Sequence, residues 1–430
     1  MKRLLILLAV FLPAELCAAV AEADTAGIIR KKGWNFGPLP VVSYSSDLGF
    51  QYGVCCDMFN YDDGSEFPKY KDHFYVEVSR YTKQQTLFHL LYDSDYLIPN
   101  INTTLCVSYQ LDPLYYFYGY NGIETYDPAL NLNPETGSAR YSHWRGMFRL
   151  LADFQGKICG DHLLWAAGVG FRQFRVDDIK FPGYDPGTSL FNDYKYYGLI
   201  KSNELNGGAH LELKAGLVYD SRNFKAAPDR GIWAELFFTG SPDMFGTGSS
   251  FLKLSAHFRQ YLTLIRNRMV FAYHLAYQGT LAGETPFYLL SNIYNMKMLQ
   301  TSSEGLGSLN SIRGVLTARV VGESYAWANF EFRIRLFSFN LINQSWYVAT
   351  NPFFDCGMVV KPYRIGDMAR LHTDMTVEEL TRASRAFHSS AGLGLKLAMN
   401  QNFMLSVEGA LPLNRNDGPF GCNVGFNYIF

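Results

Sequence analysis

The sequence predicts an all-β fold: a transmembrane antiparallel β-barrel of about 16 strands, with a long outer loop folded into its lumen. Three observations predict it. Aromatic residues make up 16% of the chain and charged residues 18%, with 29 Tyr and 33 Phe, which suits a wall alternating lipid-facing apolar residues with a wet interior. Past residue 20 no apolar run approaches the roughly 18 residues of a membrane helix. From Trp34 onward apolar residues recur with period two, in segments separated by turn residues. A soluble sandwich would alternate too, but with closer turns and fewer aromatics at the strand ends.

In chain order, the N-terminus reads as a secretory signal over residues 1–21. Lys2 and Arg3 precede an apolar core from Leu4 to Leu12, and Ala19-Val20-Ala21 is a cleavage site, with Cys17-Ala18-Ala19 as runner-up. Ala14-Glu15-Leu16 is a poor lipidation box for Cys17. Residues 22–33 form a short periplasmic segment and residues 34–430 the barrel. Export permits disulfides among the six remaining cysteines, whose connectivity cannot be read from sequence. No C-x-x-C pair suggests a metal and no cofactor is implied. A net charge of -1 gives no reason for a nucleic-acid partner.

The expected strands are 36–45, 48–59, 71–82, 85–94, 101–110, 142–156, 161–176, 208–220, 231–239, 250–263, 267–279, 323–337, 346–360, 388–399, 401–411 and 420–430. The last alternates most clearly, with Phe420, Cys422, Val424, Phe426, Tyr428 and Phe430 expected outward. On strand 401–411, Ser406 and Glu408 are expected inward; on 388–399, Lys396. On earlier strands His210, Glu212 and Lys214, and Lys253, Ser255, His257 and Arg259, share inner faces. The long connections (111–141, 177–207, 280–322 and 361–387) all join odd to even strands, while 157–160, 264–266 and 399–401 are short. Long outer loops and short periplasmic turns are the asymmetry of bacterial barrels, so both ends of the barrel chain are placed in the periplasm. Thr376-Val377-Glu378-Glu379 is a capping box that predicts a short helix in 361–387.

The strongest functional signal is Ser311-Ile312-Arg313-Gly314-Val315, a basic turn inside the 280–322 loop. On the following strand Phe330, Phe332, Ile334 and Leu336 face lipid, so Glu331 points inward. On the next, Phe354, Cys356 and Met358 face lipid, so Asp355 points inward. Two carboxylates on neighbouring strands, ~4.8 Å apart, repel unless a cation sits between them. Arg313 is the candidate, because a guanidinium fork matches carboxylates. Gly314 allows close backbone approach.

These residues resemble the BamA/TamA (bacterial surface antigen) family of outer-membrane barrels. Ile312-Arg313-Gly314-Val315 is similar to the family's Val-Arg-Gly-Phe turn, and Asn329-Phe330-Glu331-Phe332-Arg333 to its Asn-x-Glu-x-Arg strand. Phe353-Phe354-Asp355-Cys356-Gly357 looks like its Phe-x-Asp-x-Gly strand. Asp220, Arg222 and Asn223, with Pro228 and Gly231, resemble its periplasmic turn, although the Asp that follows the Arg in the family is missing. Phe426, Tyr428 and Phe430 match its C-terminal assembly signal, read by the barrel-insertion machinery. Gly37-Pro38-Leu39-Pro40 with Ser43-Tyr44-Ser45 suits the first strand. The resemblance implies an outer-membrane location in contact with lipid, and a weak seam of 36–45 against 420–430. It also implies insertion of unfolded outer-membrane proteins or translocation of polypeptide. The sequence shows no polypeptide-transport-associated domains, which leaves two expectations open: a degenerate or repurposed member, or a barrel that borrows a separate periplasmic partner. The alternative is a passive pore or structural surface barrel.

Other chemistries fit less well, and the chain is expected not to be an enzyme. Ser255 and His257 face the lumen, not lipid, and no nucleophile elbow appears. Gly246-Thr247-Gly248 lacks a phosphate-loop lysine. The stretch Tyr115-Tyr116-Phe117-Tyr118-Gly119-Tyr120 reads as an aromatic girdle or loop packing, with glycan binding as the sharper alternative.

Overall fold

The computed structural model describes residues 31–430 apart from 68, 123–125, 226, 297–303, 342–343, 364–385, 400–402, 427 and 429. The signal segment 1–21 and the capping box at Thr376 lie outside the described residues.

Sixteen strands follow one another: β1 (Trp34–Ser45), β2 (Gly49–Asn60), β3 (Asp72–Tyr81), β4 (Thr86–Ile98), β5 (Ile101–Tyr116), β6 (Ser142–Cys159), β7 (Leu163–Asp177) and β8 (Gly207–Asp220). The second half comprises β9 (Gly231–Ser241), β10 (Phe251–Ile265), β11 (Met269–Gly283), β12 (Ser324–Leu341), β13 (Gln344–Lys361), β14 (Phe387–Met399), β15 (Phe403–Pro412) and β16 (Gly421–Phe426). Each strand pairs with its sequence neighbours and β1 meets β16, closing a barrel. Closure is what lipid demands, since an open edge would leave unbonded N–H and C=O groups in hydrocarbon.

Period-two alternation places the side chains. On β10, Leu252 and Phe258 are exposed to the lipid side, while Lys253, Ser255, His257 and Arg259 are buried in the lumen. Inward charges meet across the wall: Arg172 with Glu212 at 2.5 Å, Arg259 with Glu235 at 2.7 Å, and Lys214 with Asp153 at 2.7 Å.

β5 runs to Tyr116, beyond the expected 110, because its register shifts between Asp112 and Tyr115. Pro113 lies in that shift, and the aromatic run after it has no alternation to read. Tyr116, Phe117, Tyr118 and Tyr120 then pack with Tyr141, Phe191 and Phe287 in a buried cluster at the long-loop end. The whole stretch is buried, so it presents no open face to a glycan. A short helix, α1 (Leu190–Tyr196), joins this cluster through Leu190, Phe191 and Tyr194 and is capped by Ser189. The sequence reading did not anticipate α1.

One expectation is corrected. The last strand stops at Phe426 rather than continuing to 430. Tyr428 and Phe430, expected to face lipid, lie in the lumen: Phe430 is buried beside Tyr261 and Ala272, and Tyr428 packs near Tyr347 and Met404.

Candidate functional site: the lumen loop and the strand seam

The β11–β12 connection, residues 284–323, enters the barrel. Its tip is pinned by its own side chains. Ser311 Oγ donates toward the Gly305 and Gly307 carbonyls and accepts from Gly307 N–H at 2.8 Å. Ile312 is fully buried with Leu306, Val315, Val320, Tyr325 and Trp327. Val315 N–H closes the turn on the Ile312 carbonyl at 3.3 Å. Gly314 has φ +84°, and a Cβ there would lie 2.6 Å from Ala410 Cβ on β15. Across from it, a Cβ on Gly421 would lie 2.7 Å from Gly314 Cα, so the loop backbone rests against both β15 and β16.

This turn aims Arg313 at three acids. Its Nε and Nη2 reach the two oxygens of Asp355 at 2.7 and 2.9 Å, a bidentate fork. Its Nη1 reaches Glu331 at 3.0 Å and Glu408 at 3.2 Å, and its backbone N–H donates to Asp355 at 3.1 Å. The guanidinium lies 3.5 Å from the centre of the Phe353 ring. The structure thus brings Arg313, Glu331 and Asp355 together. The sequence reading did not assign Glu408, Lys396 or Arg333 to this cluster, although period two had placed Glu408 and Lys396 inward. Lys396 Nζ donates to Glu408 at 2.8 Å, and Arg333 Nε to Glu331 at 2.7 Å. Three cations, Arg313, Arg333 and Lys396, face three acids, Glu331, Asp355 and Glu408, so the cluster sums to zero charge.

Arg333 also explains the inward tail. It donates to the Phe430 main-chain oxygen at 2.5 Å and lies 3.9 Å from the centre of the Tyr428 ring. Those contacts hold Tyr428 and Phe430 inward.

The seam is short. Among the described residues β1 and β16 are in register at Tyr44 with Val424 and Ser45 with Asn423, whereas β1 and β2 are in register over all twelve residues of β1. The β1 sequence accounts for the difference. Gly33 bonds to the β2 side, through Gly33 N–H to Asp62 and Tyr61 N–H to Gly33, while Ser46 N–H bonds to Cys422 on the β16 side at 2.9 Å. Backbone groups alternate sides along a strand, so even-numbered residues of β1 face β16. Pro38 and Pro40 are even-numbered and have no N–H. They leave the β2 ladder intact and remove the two donors that a longer β16 would need opposite residues 430 and 428.

The loop also straps the long-loop end of the seam. Thr317 N–H and Oγ both donate to Asp47, in the β1–β2 turn, at 2.7 Å. Leu316 N–H donates to the Asp417 carbonyl at 3.1 Å and Arg319 Nε to the Asn416 carbonyl at 2.9 Å, both in the β15–β16 turn. One segment of four residues therefore holds a turn on each side of the seam. Burial raises the Asp47 carboxyl above its ordinary value, against the Thr317 donors that favour its ionised form.

The periplasmic-turn residues meet this cluster at Arg333. Arg222 forks onto Asp220 at 2.9 and 2.7 Å, Asn223 Nδ2 donates to Asp229 at 2.6 Å, and Gly231 takes φ +108°. Asp229 thus bonds Asn223 in this turn; Pro228 precedes it, and its carbonyl accepts from Arg333 at 3.3 Å. Among the described residues no group of three or more His, Cys, Asp or Glu is arranged to hold a metal, and all six cysteines are free thiols.

A family model described as the Omp85 superfamily domain matches residues 173–428. No curated protein sequence matches the chain. Two solved structures share the fold. BamA from Haemophilus ducreyi, in a form lacking POTRA domains 1–3, matches with a TM-score of 0.57 and 16% identity, over 93% of this chain and 71% of that one. CdiB from Escherichia coli matches with a TM-score of 0.53 and 14% identity, over 93% of this chain and 64% of that one. The chain therefore spans about two thirds of the length of these relatives.

Proposed function

The chain belongs to the Omp85 superfamily and is an outer-membrane β-barrel, and from that premise we propose that it handles polypeptide at its β1–β16 seam, assisting insertion of unfolded outer-membrane proteins. The observation that carries the reading is the short seam, with Pro38 and Pro40 on the β1 edge and the tail of β16 turned inward. Such an edge can part at the cost of few hydrogen bonds, each worth about 1 kcal/mol net. The lumen loop and the buried aromatic cluster at the long-loop end count against a passive open pore. A separate periplasmic protein would deliver substrate, and no covalent chemistry is needed.

The test is reconstitution of the full chain in liposomes with an unfolded test barrel. Acceleration of insertion that is lost in Arg313→Ala supports the reading. Unaltered insertion rates, with a stably folded barrel and steady conductance, would leave the family fold serving as a pore or structural barrel.

A further inference from the structure

The hairpin of β12 and β13 reaches further into the periplasm than the strand beside it. β11 begins at Met269 and is in register with β12 from Ser324 to Ile334. β12 continues to Leu341, and among the described residues 337–341 are in register with β13 alone. The Arg335 N–H still bonds the Arg268 carbonyl at 2.8 Å. Arg268 belongs to the β10–β11 turn, where Arg266, Asn267 and Arg268 are all exposed. Charged tips of this kind mark the edge of the hydrocarbon. Every residue from Leu336 to Leu341 is exposed, on both faces of the strand, as befits a segment past that edge. Hydrocarbon would not tolerate its unpaired side.

Main-chain parity says which groups line the open edge. Arg335 turns its N–H to β11, and the register with β13 then slips by one residue between Arg335 and Phe337. The slip inverts the alternation, so Phe337, Phe339 and Leu341 turn to β13, while Ser338 and Asn340 turn to the open edge. Side chains divide as cleanly. Phe337 lies 6.1 Å from Phe339, which stacks on Trp346 at 6.3 Å, and these rings form an apolar row on the outer face. Ser338, opposite the buried Tyr347, and Asn340 form a polar row on the inner face. Exposed edges are commonly blunted by a charge, a proline or a covering loop. Residues 336–341, Leu-Phe-Ser-Phe-Asn-Leu, carry no charge and no proline, and all six are exposed.

We propose that the periplasmic edge of β12, residues 336–341, captures one extended strand of an unfolded outer-membrane polypeptide by strand addition. The geometry selects this occupant. A strand bonded to the edge continues the sheet, so its residues alternate between the Phe337 face and the Ser338 face. The strand that fits is apolar on one face and polar on the other, the pattern of a transmembrane strand such as this chain's own β10. Arg266 and Arg268, exposed at the head of the edge, favour an acidic residue at that end of the incoming strand. That the captured strand is substrate rests on the insertion reading above; the capture itself does not.

The test titrates a fluorescent peptide copying residues 403–412, Phe-Met-Leu-Ser-Val-Glu-Gly-Ala-Leu-Pro, against the full chain in lipid nanodiscs. A peptide of the same composition with its alternation scrambled is the control. The alternating peptide should bind saturably and about tenfold more tightly than the scrambled one. Ser338→Pro with Asn340→Pro removes two donors from the open edge and none from the β13 ladder, and should weaken binding about tenfold. In the wild-type barrel, hydrogen exchange of fragments covering 336–341 should slow about tenfold at saturation, a readout that needs no variant. Equal binding of the two peptides, full affinity in the proline variant, or unchanged exchange at 336–341 would each overturn the proposal. Binding is read without insertion. Capture by a barrel that fails to accelerate insertion would therefore contradict the insertion reading and uphold the edge, and the reverse result would overturn the edge alone.

Discussion

Replacing Arg313 by alanine removes four of its five donated hydrogen bonds and spares the backbone one. Asp355 loses its bidentate partner, and Glu331 and Glu408 each lose one donor. The cluster passes from three cations and three acids to two cations and three acids, all buried. Deleting one member of a buried ion pair costs about 3–5 kcal/mol, because the other charge is left uncompensated. The sixteen-strand ladder does not depend on this residue, so the loss should fall on loop seating. At 1.36 kcal/mol per factor of ten, the loop's detachment equilibrium should shift by roughly 10²–10⁴. Hydrogen exchange by mass spectrometry, in lipid nanodiscs, reads this on peptides covering 304–320. Exchange there should accelerate by that factor, or reach its unprotected limit, while peptides of β4 and β7 stay unchanged. Arg313→Lys keeps the charge but not the fork, and should fall between wild type and alanine. Adding Asp355→Asn to Arg313→Ala should recover part of the loss, because the orphaned charge is gone. Unchanged loop protection in Arg313→Ala would refute the reasoning, as would strictly additive losses in the double variant.

Two further outcomes follow from backbone geometry. Gly314→Ala should unseat the same peptides although no charge changes, because its Cβ would meet Ala410 and its φ of +84° disfavours any other residue; loop exchange matching wild type would contradict this. Pro38→Val with Pro40→Val restores two donors on the β16-facing edge, worth about 0.5–1.5 kcal/mol each. Cysteines placed at 40 and 428 in a Pro38→Val background should then cross-link more readily than the same pair with Pro38 retained, and equal yields would show that the prolines do not set the seam length.

The strand pattern was legible because each lipid-facing position must be apolar and each inner one is free to be polar. β10 and β12 show both faces in their letters alone. Arg313, Glu331 and Asp355 were legible by the same parity, since two inward acids on neighbouring strands call for a cation. Lys396 and Glu408 carried the same inward parity but sit two and three strands round from Glu331, where sequence gives no measure of how far the loop reaches. The inward turn of Tyr428 and Phe430 was not legible. Their alternation continues that of β16, and what overrides it is Arg333, 95 or more residues earlier in the chain, together with two prolines on the opposite edge. The strap from Thr317 to Asp47 joins residues 270 apart by polar groups common in any loop.

The account rests on a seam that parts. Ser45 and Asn423 are directly opposed across it, within the Cα separation a disulfide accepts. Ser45→Cys with Asn423→Cys, in a Cys422→Ser background, locks the seam under oxidation and frees it under reductant. In the liposome assay the account predicts that the oxidised protein no longer accelerates insertion of a test barrel and that reduction restores it. An oxidised, fully cross-linked barrel that works as fast as the reduced one would contradict the claim that polypeptide is handled at this seam.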